Sequence, residues 1–93
     1  MNYIAEINAF NDLQQIDPLP TGQIVLWYAL MAINNKCAWA EWFTAANQTL
    51  ESVTGLSKGG VAKARIALKE RGLINFEIRT NRAAVYHMIP LAE

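Results

Sequence analysis

Apolar side chains recur at Tyr3, Ile4, Ile7, Phe10 and Leu13, Ile16 closes the stripe, and mostly Asn, Gln and Glu stand between them. That spacing predicts an amphipathic helix of about four turns over 2–16. Asp17-Pro18-Leu19-Pro20 then interrupts it, because proline removes a donor and restricts the residue before it. Pro20 suits the first turn of a second helix, expected to run to about Asn34, with Asn34-Asn35-Lys36 ending it. Ile24 to Ile33 is apolar almost all round, the pattern of a central core helix. At ten residues the run falls well short of the ~20 a membrane span needs.

Cys37-Ala38-Trp39-Ala40-Glu41-Trp42-Phe43 reads as a loop leading into a short extended segment. Thr44 is expected to cap a third helix that ends at Val53-Thr54-Gly55, with Gly55 as a left-handed terminator. Ser57 is the next N-cap candidate, opening a helix over Lys58 to Arg71 with Val61, Ala64 and Ala67 or Leu68 inward and Gly72 closing it. Leu73–Ile78 alternates through Ile74, Phe76 and Ile78, and Ala84–Ile89 forms a second run. Arg79–Ala83 is the polar loop between them, and Pro90 stops the last strand.

This order of elements predicts an α+β, mostly helical chain. A short glycine turn joins two helices at a steep angle and a hairpin follows, which is a winged helix-turn-helix with an extra N-terminal helix and a C-terminal β-hairpin wing. Residues 1–19 form a helical extension and 20–93 the winged-helix domain.

The formal net charge of zero conceals an asymmetry. Residues 1–56 carry one base, Lys36, against five acids, a net −4; residues 57–93 carry seven bases against three acids, a net +4. A cationic half of this kind points to an anionic partner for one face. The second helix of the pair offers Lys58, Lys63, Arg65 and Lys69, Ser57 caps an N-terminus suited to phosphate, and Arg79 and Arg82 belong to the wing. Four to six phosphate contacts would give a salt slope of roughly −4 to −5 in log K. Gly59 and Gly60 occupy the turn where side chains normally read bases, and no Asn or Gln stands on that helix to read adenine. Backbone-type DNA binding is therefore expected, rather than tight operator recognition.

Among the aromatic residues, Trp39 and Trp42 are candidates for a subunit interface, where Trp is enriched, together with Tyr3, Ile7 and Phe10 of the first helix. A homo-oligomer, most simply a dimer, is expected. His87 has no second His, Cys cluster or paired carboxylate near it in sequence, so no metal site is expected. Cys37 lacks a His partner in its segment, and Ser57-Lys58-Gly59-Gly60 lacks the spacing of a nucleotide loop. Neither enzyme activity nor a cofactor is expected. A single cysteine cannot form an internal disulfide, and the N-terminus lacks a basic stretch before an apolar one; a cytoplasmic location without membrane association is the corresponding expectation.

Over about residues 24–91 the chain resembles the N-terminal domain of DnaD-like primosome and phage replication proteins. The resemblance is carried by Ala29-Leu30-Met31-Ala32-Ile33-Asn34-Asn35, then Trp39, Trp42 and Phe43, then Thr54-Gly55-Leu56-Ser57 and Lys69-Glu70-Arg71-Gly72-Leu73-Ile74. It implies a self-associating winged helix that works with replication proteins in initiation or restart. In that family a separate C-terminal domain contributes much of the DNA binding. No such domain is expected within these residues, as for a fragment or a stand-alone phage-type protein. Gly59 and Gly60 depart from the polar residues expected of the family. The rival readings are a winged-helix transcriptional regulator and a protein-binding scaffold that does not touch DNA.

Overall fold

Asn2 opens the first helix: its side-chain oxygen accepts the Ala5 N–H at 3.1 Å, relieving one of the unpaired donors at a helix start. The computed structural model describes residues 1–92. Its elements are α1 (Tyr3–Ile16), α2 (Thr21–Lys36), β1 (Phe43–Ala45), α3 (Asn47–Thr54), α4 (Lys58–Glu70), β2 (Ile74–Arg79) and β3 (Arg82–Met88). The strands form one antiparallel sheet in the order β1-β3-β2. The architecture is therefore α+β, four helices around a three-stranded sheet.

α2 is the central helix. It buries Leu26, Trp27, Leu30, Met31 and Asn34, and its neighbours supply Leu50 of α3, Val61, Ala64 and Leu68 of α4, and Ile74 and Tyr86 of the sheet. α1 joins the same core through Phe10, which is fully buried and stacks flat on Trp27 with ring centroids 3.9 Å apart. Tyr28 stands nearly perpendicular to both rings, and its hydroxyl donates to the Asn11 side chain. The chain ends are tied together as well. Glu6 of α1 is buried, and its two carboxylate oxygens accept the N–H groups of Leu91 at 2.7 Å and Ala92 at 2.9 Å.

The α3–α4 turn follows its sequence signals. Gly55 has φ 76°, the left-handed region where a side chain is strained. The Thr54 hydroxyl donates to Leu50 O and accepts the Leu56 N–H at 3.1 Å. Ser57 then caps α4 by accepting the Gly60 N–H at 3.0 Å.

Four local expectations are corrected. Thr44 does not cap a helix; it pairs with Val85 in β1, because joining a sheet satisfies its backbone more fully than a local cap. α3 starts later, at Asn47, with Ala46 at its N-cap and no side-chain capping bond. The end of α2 at Lys36 needs no correction, since it falls within the expected Asn34-Asn35-Lys36, with Asn34 buried and donating to Ala40 O at 3.0 Å. Finally, Ile78 does not continue the inward alternation of Ile74 and Phe76. An irregularity in register between Glu77 and Arg79 leaves it 62% exposed, as a β-bulge does when it shifts the facing of a strand. Arg79 and Arg82 are a paired strand position, not loop residues, and the connection between them is only Thr80-Asn81, with Asn81 at φ 54°.

Candidate nucleic-acid interface

α4 buries Val61, Ala64 and Leu68. At about 100° per residue, the face directly opposite carries Gly59, Lys63, Ile66 and Glu70. That outward face holds one base, one acid and an isoleucine that is 51% exposed. Lys58, Ala62, Arg65 and Lys69 lie along a flank between the two, on the side where β2 packs. The Phe76 ring sits beneath this flank, 5.4 Å from the Arg65 guanidinium carbon and 5.1 Å from the Lys69 ammonium, within reach of a cation–π interaction.

Arg65 is held from two further sides. Its Nη1 donates to Asn47 Oδ1 at 2.9 Å and to the Tyr86 hydroxyl at 3.1 Å. Tyr86 lies in the middle of an aromatic row across the sheet, with Phe43 and Phe76 each 6.1 Å away. Arg65 thus links α4 to the start of α3 and to the central strand. Arg79 folds back on its own hairpin: Nε and Nη2 both donate to Ala83 O, at 2.9 and 2.8 Å, and Nη2 also reaches Thr44 Oγ1 at 3.4 Å. Arg82 is exposed beside the turn.

These three arginines line one groove of about 350 Å³, walled by Ala46 and Asn47 at the start of α3 and by Ile78, Ala83 and Ala84 of the hairpin. Among the described residues no acidic side chain lines it. Lys63 stands apart, beside a second groove of about 360 Å³ formed with Pro20, Gln23 and Leu56. Arg71 lies elsewhere too, 3.0 Å from Asp17 in the ion pair found among the described residues. Ser57 and Lys58 are exposed at the start of α4. A Cβ at Gly59 would meet nothing within 4 Å, whereas one at Gly60 would press on Ser57 Oγ at 3.3 Å. Packing therefore explains the second glycine and not the first.

The residues expected at a subunit interface are divided. Phe10 is enclosed within the chain's own core and is not available to a partner. Tyr3 and Ile7 are half-buried against that core, and Tyr3 packs on Trp39 at 5.6 Å. Trp39 is placed there by a left-handed pair, Ala38 at φ 53° and Trp39 at φ 61°. Trp42 remains 39% exposed and stacks on the His87 ring at 5.5 Å. His87 Nδ1 lies 2.7 Å from the Glu41 carbonyl oxygen.

Asn47 and Tyr86 carry no site signal in the sequence, and Thr44 carries only that of a helix cap, although all three orient the arginines. Arg65 and Asn47 are 18 positions apart on different helices, and no local pattern signals such a pairing. Glu6 was likewise indistinguishable from a solvated helix carboxylate. Among the described residues no helix is long and apolar enough to cross a membrane, and no group of three His, Cys, Asp or Glu side chains is placed to hold a metal. Comparison with family models, with curated proteins and with solved structures finds no match to the chain.

Proposed function

We propose that the chain is a winged-helix module of the DnaD-like, replication-associated type, which binds DNA weakly through its backbone and assembles with copies of itself and with replication proteins. The convergence of Arg65, Arg79 and Arg82 on one groove, with no carboxylate among the described lining residues, carries this reading. α3 and α4 would be the helix pair and β2–β3 the wing. Lys58 and Lys69 extend the cationic surface along α4 from Arg65. Charge of this kind binds phosphates without reading sequence. The outward face of α4, with Gly59, Ile66 and Glu70, offers a base edge one donor side chain, Lys63, which favours backbone binding over operator recognition. Trp42, exposed on the β1 side, is the aromatic residue left for self-association.

One observation favours the protein-scaffold reading: Ile66 is half exposed in the middle of the outward α4 face. The two readings separate in a gel-shift titration at two salt concentrations, run beside light scattering on the same samples. DNA binding that weakens steeply with salt, with little preference among duplexes, supports the replication module. A preference of ~10³ or more for one duplex would mark a regulator, and the absence of any salt-dependent binding would leave only the scaffold.

A further inference from the structure

We propose that the groove between the start of α3, Arg65 of α4 and the β2–β3 turn is a built phosphate site. It rests on the nucleic-acid reading only for the source of the phosphate; the chemistry recognised is a phosphate oxyanion, inorganic or esterified.

Three guanidinium groups line a space of about 350 Å³ in which no acidic residue among those described takes part. Like charges gathered around a partly enclosed space repel one another unless an anion sits between them. Two of the three are set in advance. Arg65 is fixed through Nη1 by Asn47 and Tyr86, which leaves its Nε and Nη2 without an acceptor among the described residues. Arg79 is fixed through Nε and Nη2 by Ala83 O and Thr44, which leaves Nη1. Arg82 is free of any such partner among the described residues and supplies a complete fork. Planar forks of this kind match phosphate oxygens two at a time, and donors already oriented lose little freedom on binding. Ile78, Ala83 and Ala84 supply part of the apolar lining. The volume is at the low end for small-ligand sites, ~300–1,000 Å³, which suits a phosphate with part of its ester group.

The test titrates inorganic phosphate into the full chain at low ionic strength, followed by amide NMR shifts and calorimetry, with oligothymidylate as a second arm. Saturable shifts at Asn47 and at Arg79–Ala84 are expected. Arg82→Gln should weaken phosphate binding at least about tenfold, while Lys36→Gln, at a residue that does not line the groove, should leave it unchanged. Arg82 is exposed, so its replacement is expected to leave the thermal midpoint in place. Non-saturable shifts, or equal affinity in Arg82→Gln, overturn the site. Phosphate binding without oligothymidylate binding keeps the site and removes single-stranded DNA as the source of its phosphate. Oligothymidylate binding that ignores both Arg82→Gln and added phosphate removes the site and keeps the nucleic-acid reading.

Discussion

Arg65 on α4 donates to the hydroxyl of Tyr86 on the central strand at 3.1 Å, and the same nitrogen donates to Asn47 at 2.9 Å. One cation is therefore both a structural tie between three elements and part of the groove beside the hairpin. Tyr86 is fully buried, so its hydroxyl needs this partner: an unpaired buried hydroxyl costs about 1–3 kcal/mol.

Arg65→Lys keeps the charge and loses the fork. It should destabilise the chain by about 1–2 kcal/mol, read from the urea midpoint. Tyr86→Phe should cost less, and in a double-mutant cycle the pair should couple by about 0.5 kcal/mol or more. Strict additivity would show that the hydrogen bond contributes nothing.

Glu6 holds Leu91 and Ala92 by their backbone N–H groups. Glu6→Ala removes both acceptors and leaves the tail untied. Amide exchange at Leu91 and Ala92 should accelerate by more than tenfold, with a loss of about 1.5–3 kcal/mol for hydrogen bonds to a charged group. Unchanged exchange would mean that the tail is held by packing instead.

Gly55 and Gly59 should respond in opposite ways to alanine. At Gly55, φ 76° makes a Cβ strained, and Gly55→Ala should destabilise by about 1–2 kcal/mol. At Gly59 the Cβ enters open space, so Gly59→Ala should stabilise by up to about 1 kcal/mol. Thermal melts of the two variants provide the comparison.

Phe10→Ala opens a cavity beside Trp27. A loss of about 3–5 kcal/mol is expected, a large share of the 5–15 kcal/mol typical of a domain, and Trp27 fluorescence should shift to the red. Trp42→Ala, at a residue 39% exposed, should change the melt little. If Trp42 anchors self-association, the variant should sediment as a smaller species than the parent chain, and an unchanged sedimentation profile would remove that role.

Lys63 and Arg82 stand beside different grooves, which makes their contributions separable. Each charge that touches a DNA phosphate should lower the salt slope by about 1 when neutralised. Arg82→Gln is expected to lower it and Lys63→Gln to change it less. Equal effects would place the contact across α4 instead of along its flank by the sheet. Lys63→Glu combined with Arg82→Glu should abolish DNA binding while leaving self-association intact.

Periodicity and punctuation were enough to locate the helices and most of the strands. Proline at 18 and 20, glycine at 55 and 72 and serine at 57 act through their own backbone chemistry, and the apolar stripe of α1 and the all-round apolar α2 report burial directly. The cationic second half was equally plain from the sequence. Tertiary structure decided what could not be local. Thr44 entered a strand because β3 offered it a ladder, and Ile78 turned outward because the hairpin register is irregular. Phe10 closed a core instead of an interface because Trp27 lies under it. The seven cations parted company for the same reason: Arg71 met Asp17, Lys63 faced another groove, and Arg65, Arg79 and Arg82 came together. A charge count along a chain carries no distances, and the distance between a charge and its neighbours determines whether it is paired, buried or free to bind.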